Sequence, residues 1–252
     1  MNRLRIPSLL VSVLALAAAG CGSSIQDDPI LRLSAAESLA EGKRLFEGEK
    51  YRQARPYLQH AFEVEPNSAT GREALLMVAD ALFAEGGNTA MVQAEAKYRD
   101  FQNRFPTSER AAFVQAQVAA SLSARMERPD RDQEVTRKAL AAYEDLLRLY
   151  PTSPQAEAAA EPLREVRANL AAHELVVGRF YYRFGLPGAA ANRLEYLLAN
   201  FPAYAERDRA LLYLGLAYQK MKKPEEASAA FSRLRAEHPQ SPWIAEIPQE
   251  AS

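Results

Sequence analysis

Residues 214–239 read LGLAYQKMKKPEEASAAFSRLRAEHP. In this stretch Leu214, Gly215 and Tyr218 share one face of a first helix, and Ala227, Phe231 and Leu234 share one face of a second before Pro239. A small residue at Gly215 lets the second helix approach closely, Ala227 supplies the facing small surface, and Tyr218 and Phe231 fill the remaining space. The same offsets recur at Val177, Gly178, Tyr181, Gly185, Ala190, Leu194, Leu197 and Pro202, and again at Gly42, Leu45, Ala54, Leu58, Ala61 and Pro66. Two further units keep part of the pattern, Ala79, Leu82, Gly86, Ala94, Tyr98 and Phe101, then Ala139, Tyr143, Leu146 and Pro151. Each hairpin so described buries its apolar face only by stacking on its neighbours.

This register resembles the tetratricopeptide (TPR) repeat at its Leu, Gly, Tyr, Ala, Phe and Pro positions. With only 11 glycines in 252 residues and long Ala/Leu/Glu/Arg stretches, the chain reads as all-α. The resemblance implies a right-handed superhelical solenoid of about five helix-turn-helix repeats. Its concave side, lined mainly by first helices, is a shape that holds an extended or helical segment of another protein.

Proline separates the units, at Glu65-Pro66, Phe105-Pro106, Tyr150-Pro151, Phe201-Pro202 and His238-Pro239. It ends the helix before it, and Thr107-Ser108, Thr152-Ser153 and Gln240-Ser241 are placed to cap the next element. The middle units are less regular. Gly87-Asn88-Thr89-Ala90 reads as a lengthened turn in unit two, and Arg128-Pro129-Asp130-Arg131-Asp132 as a charged loop inside unit three. From Pro154 to Phe184 only Pro162 interrupts, which predicts one long helix or a kinked pair.

At the other end of the chain, Arg3 and Arg5 precede an uncharged run from Ile6 that closes on Ala18-Ala19-Gly20-Cys21, holding the only cysteine. A basic start, a short apolar stretch and small residues before a cut describe an export signal too short to span a membrane stably. The run resembles the bacterial lipobox, with Ala18 where Leu is usual. The expected organisation is a signal peptide over 1–20, lipidated Cys21, a polar tether to residue 33, and a solenoid over 34–252, split into N-terminal repeats (34–125) and C-terminal repeats (126–252). Two or three acyl chains anchor such a chain, so membrane contact is expected through lipid alone. Gly22, in place of the Asp that retains enteric lipoproteins at the inner membrane, fits transfer to the outer one.

The chemistry of the remaining residues is plain. The chain carries 31 Lys and Arg against 32 Asp and Glu, no footprint for nucleic acid. His60, His173 and His238 are isolated, without the paired spacing that holds zinc, so no metal and no cofactor are expected. No nucleophile elbow or phosphate loop occurs, and the expected class is non-enzymatic.

Tyr143 through Tyr150-Pro151-Thr152-Ser153, then Gly178-Arg179-Phe180-Tyr181-Tyr182-Arg183-Phe184-Gly185, Ala191-Asn192-Arg193 and Phe201-Pro202, resemble in order and spacing the outer-membrane protein assembly factor BamD family. The Asp130-Arg131-Asp132 triplet fits as well, and the similarity runs from the lipobox to about Met221. The resemblance implies a lipoprotein on the periplasmic face of the outer membrane. Its C-terminal repeats would bind the last POTRA domain of the barrel-inserting subunit, alongside accessory assembly lipoproteins, and its N-terminal repeats would receive unfolded barrel precursors. Arg193, with Asn192, matches the contact implicated in partner binding. A guanidinium fork addresses a partner carboxylate in a way Lys cannot, against the bland reading of a solvated helix charge. On that footing Arg193→Glu should weaken docking and leave helicity and melting unchanged. Phe83 and Phe113 are the candidates for an aromatic precursor groove, whereas Tyr98 and Phe101 sit at core offsets and read as packing. Two other readings share the repeat pattern: a pilotin-like lipoprotein that assembles a secretin or pilus, and an unacylated periplasmic coordinator of envelope constriction.

Overall fold

A computed structural model describes residues 28–249. Cys21, the expected signal and the first part of the expected tether lie outside the described residues. Among these residues the chain forms eleven α-helices and no strand: α1 (Ala35–Glu47), α2 (Tyr51–Val64), α3 (Ala69–Glu85), α4 (Asn88–Arg104), α5 (Ala111–Ser123), α6 (Glu134–Leu149), α7 (Pro154–Ala158), α8 (Ala160–Arg183), α9 (Pro187–Asn200), α10 (Arg207–Lys220) and α11 (Pro224–Glu237). Each helix packs on the next, giving five hairpins, α1–α2, α3–α4, α5–α6, α8–α9 and α10–α11, in a helical TPR solenoid.

One register runs through all five second helices. Ala54, Ala94, Ala139, Ala190 and Ala227 are buried, and four residues later Leu58, Tyr98, Tyr143, Leu194 and Phe231 are buried with them. Three residues further on, Ala61, Phe101, Leu146, Leu197 and Leu234 complete the stripe. In three units the large residue lands on a first-helix glycine. A Cβ added at Gly42 would lie 2.5 Å from Leu58 Cδ2, one at Gly178 would lie 2.9 Å from Leu194 Cδ2, and one at Gly215 would collide with the Phe231 ring. Helix axes come this close only because the first helix carries no side chain at the crossing. Units two and three, without glycine there, use tyrosine. The Tyr98 hydroxyl donates to Asp80 Oδ1 at 2.6 Å, and the Tyr143 hydroxyl lies beside Ser123. Burial drives the Tyr98 hydroxyl pKa well above the ordinary phenol range, with the Asp80 charge pushing the same way.

The proline connectors are near copies of one another. Glu65, Phe105, Tyr150, Phe201 and His238 share φ between −126° and −135° and ψ between 51° and 67°, and each backbone N–H still donates to the carbonyl four residues back. The following proline excludes another helical turn at this point. Downstream hydroxyls then start the next element, Ser68 accepting from Gly71 N at 3.0 Å, Ser108 from Arg110 N at 3.2 Å, Ser153 from Ala156 N at 3.1 Å and Ser241 from Trp243 N at 3.2 Å.

Several details differ from the sequence reading. The turn of unit two is short: Gly86 (φ 74°) and Gly87 (φ 79°) alone join α3 to α4, and Asn88–Ala90 form the first turn of α4. Two glycines in the left-handed region reverse the chain in less length than side-chain-bearing residues need. The helix after Pro154 is a kinked pair that breaks at Ala159, since Pro162 has no N–H to give the Ala158 carbonyl. At the N-terminus, Pro29–Arg32 form a 3₁₀ turn capped by Asp28, and the Leu33 carbonyl lies 3.1 Å from His60 Nε2, so ordered structure begins before Ser34. At the C-terminus a second 3₁₀ turn, Pro242–Glu246, folds back on α10: Ser241 Oγ donates to Asp208 at 2.6 Å and the Arg209 guanidinium stacks 4.8 Å over Trp243.

In an ordinary helix Gly→Ala stabilises by about 1 kcal/mol. Gly215→Ala should instead lower the melting temperature, because its methyl displaces Phe231, with an overpacking cost of roughly 1–3 kcal/mol. Adding Phe231→Leu should recover part of the loss, and thermal denaturation of the single and double variants checks both.

Candidate docking site

Arg193 lies on α9, one turn beyond Ala190, and its guanidinium reaches back across the hairpin to α8. Its Nη1 donates to Glu174 Oε2 at 3.1 Å and Oε1 at 3.4 Å. Glu174 is buried at 6% exposure, among Leu163, Val166, Leu170, Ala171, Leu175 and Gly178 on the core face of α8. A carboxylate there requires a cation, and the Arg193 side chain, 43% exposed, supplies it from the rim. Arg193, Glu174, Asn192, Tyr196 and Arg137 line a recess of about 330 Å³ between α6, α8 and α9. Arg193 and Asn192 are therefore together, as read from the sequence, but Arg193 is not a solvated surface charge. Its first partner is internal. Glu174 was missed, and the signal for it was an acid at an apolar position of α8, 19 residues before Arg193.

The charged loop between α5 and α6 packs against α8. Gln133, almost fully buried, donates to the Arg128 carbonyl at 2.9 Å and the Arg131 carbonyl at 3.1 Å, and accepts from Thr136 Oγ1 at 2.8 Å. From α8, Asn169 Nδ2 donates to the Glu127 carbonyl at 2.9 Å, and His173 Nδ1 lies 2.7 Å from the Pro129 carbonyl. His173, singled out in the sequence only as an isolated imidazole, thus pins this loop to α8. Arg128 and Asp130 pair with each other, and that contact holds the Asp130 carboxyl below its usual range.

In the N-terminal units, Tyr98 and Phe101 are core residues. Phe83 and Phe113 are half-buried against the core, and neither lines the recess around Arg72 and Arg110. Phe113 instead supports a cation, the Arg110 guanidinium lying 4.5 Å over its ring. Arg110 joins Arg72, Leu76, Met77, Asp80 and Phe101 around a recess of about 320 Å³. Burial raises the Asp80 pKa above the usual carboxylate range, with the Tyr98 hydrogen bond and Arg110 opposing it. Among the described residues no group of His, Cys, Asp and Glu is placed to hold a metal ion, and no helix is long and apolar enough to cross a membrane.

The sequence model of YfiO, described as an outer membrane lipoprotein, matches residues 33–234. The chain belongs to this YfiO/BamD family. It is 25% identical over 247 residues to the outer membrane protein assembly factor BamD of Neisseria gonorrhoeae, covering 94% of this chain and 92% of that one. To BamD of Rickettsia prowazekii it is 26% identical over 231 residues, covering 92% and 90%. It also overlays on the TPR2AB-domain:pHSP90-complex of yeast Sti1 with a TM-score of 0.42 and 15% identity, over 83% of this chain and 80% of that one. By the family model and these relatives, the chain is an outer-membrane assembly factor of the YfiO/BamD family.

Removal of Arg193 strands a buried carboxylate. Arg193→Glu should destabilise the fold by about 1–3 kcal/mol, below the range for fully buried pairs because Arg193 is partly exposed. The unchanged melting expected from sequence alone is thereby replaced by a lowered one. The double variant Glu174→Gln/Arg193→Gln should melt near wild type, which thermal unfolding of the pair of variants checks.

Proposed function

We propose that this chain is a lipid-anchored, non-catalytic scaffold on the periplasmic face of the outer membrane, which positions the barrel-inserting subunit and its unfolded substrates relative to each other. The observation that carries this reading is the family match over residues 33–234, which spans all five hairpins up to the end of the core stripe at Leu234. Cys21 carries the acyl chains, and the residues between it and Asp28 link the lipid to the solenoid. Docking of the POTRA domain involves the C-terminal repeats around Asn192 and Arg193. Glu174 holds the Arg193 guanidinium in one orientation while 43% of that side chain stays accessible, so a donor fork fixed in advance loses less entropy when a partner carboxylate arrives. Accessory assembly lipoproteins join the same body.

Unfolded precursors bind the N-terminal repeats. The recess lined by Arg72, Glu73, Asp80 and Arg110 together with Leu76, Met77 and Phe101 sets charges of both signs beside apolar side chains and is a better candidate than a groove built on Phe83. Phe113 contributes by holding Arg110 flat. The work is done by positioning, with no bond made or broken.

Fractionation of cells expressing wild type and Cys21→Ser tests the anchor and the partner together. Wild type should pellet with outer membranes and co-purify from detergent extracts with the barrel-inserting subunit. Wild type should incorporate labelled palmitate and Cys21→Ser should not. Acylation of Cys21→Ser, or purification of wild type without that subunit, would refute the reading.

A further inference from the structure

After α11 the chain begins a sixth unit and abandons it. His238-Pro239-Gln240-Ser241-Pro242 repeats the order of Tyr150-Pro151-Thr152-Ser153-Pro154: a ring residue, proline, a polar residue, serine and proline. The two copies also share their geometry. Tyr150 has φ −133° and ψ 51°, His238 has φ −135° and ψ 62°, and both serines are extended, with hydroxyls that accept from a backbone N–H just downstream. From Ser153 the chain enters α7 and then α8. From Ser241 it makes one 3₁₀ turn, Pro242–Glu246, and Pro248 disfavours a helical conformation at Ile247. One turn therefore stands where the first helix of another unit would begin.

The last hairpin is shaped for this ending. In α9, on which α10 stacks, burial widens beyond the core stripe to Ala191 and Leu198. At the same offsets α11 carries Ser228 and Arg235, both exposed, so a full-length helix laid there would meet polar side chains. The 3₁₀ turn packs on α10 as well as on α11. Ile247 is buried in the core that holds Leu211 and Leu212, and Trp243 and Ile244 are half-buried against it. Ile244 and Ile247, three residues apart in a 3₁₀ turn, fall on one side. Two polar contacts fix the segment to the first turn of α10: Ser241 Oγ donates to Asp208 Oδ2 at 2.6 Å, and the Arg209 guanidinium lies 4.8 Å over the Trp243 ring. Arg209 Nε is buried without a hydrogen-bond partner, and a cation withdrawn from water in this way is held more strongly by an aromatic face.

We propose that residues 239–248 are a tethered ligand that locks the C-terminal end of the solenoid. The start of α10, with the adjoining part of α11, is a binding site for a short segment of the pattern Trp-Ile-x-x-Ile, and the chain fills it with its own Trp243, Ile244 and Ile247. The lock requires no partner protein and is independent of the docking function given above. A hairpin inside the stack is supported from both sides, whereas α10–α11 has a neighbouring hairpin on one side only and depends on this segment for the other.

Hydrogen exchange read helix by helix on the mature wild type and on Trp243→Ser/Ile247→Ser tests the lock, each with and without a synthetic peptide of residues 238–249 and a scrambled control. In the double variant the amides of α10 and α11 should exchange at least about tenfold faster than in wild type, with those of α1 to α6 unchanged. Excess peptide should restore protection to α10 of the variant, the scrambled peptide should not, and wild type should respond to neither because its own segment occupies the site. Equal exchange in variant and wild type would overturn the lock. Faster exchange along the whole variant chain would also overturn it, making Trp243 and Ile247 ordinary members of the common core. Failure of the peptide to slow exchange in α10 of the variant would overturn the binding site.

Discussion

Everything in this molecule depends on how closely the two helices of a hairpin approach each other. A backbone without a side chain at Gly42, Gly178 and Gly215 receives the large residue of the second helix at Leu58, Leu194 and Phe231. A helical glycine costs about 1 kcal/mol of local stability, and burying a large apolar side chain returns about 1.5–3 kcal/mol, so the exchange favours the hairpin only when the contact is made. The contact in turn leaves the outer faces of each pair to be covered by the pairs on either side. Packing from α1 to α11 is sequential as a result, and stability is distributed along the stack.

That architecture explains what the protein does with its polar groups. Tyr98 with Asp80, Glu174 with Arg193, and Gln133 with the α5–α6 loop carbonyls lie where the repeat departs from its own pattern. Each ties elements from different parts of a unit, or from neighbouring units, into a fixed relation. For the proposed scaffold function the requirement is that distances between binding surfaces stay constant, and satisfied buried polar contacts serve that end.

The fold was legible because the stripe of Ala, a large residue four positions on and a third three positions further repeats before every connector proline, and because that pattern is local. What was misread depends on distance or handedness. The Gly86-Gly87 turn looked long, since consecutive polar and small residues suggest a loop, yet two positive φ angles complete the reversal and Asn88 begins a helix. Arg193 was read as a docking contact whose loss would leave melting unchanged, because its internal partner Glu174 is a residue of another helix. The return of Trp243 onto Arg209 after the last proline, outside the repeat pattern, carried no periodic signal at all. Phe113 was read as a candidate for the precursor groove, whereas its use as a plate beneath Arg110 is visible only in three dimensions.

If hairpins are stable only through their neighbours, opening must be graded along the chain. Native-state hydrogen exchange, read helix by helix on the mature protein, tests this most directly. The account predicts the strongest protection in the central helices α4, α6 and α8, with lower opening free energies towards α1 and α11. Protection that is uniform from α1 to α11 and lost only with global unfolding would contradict it.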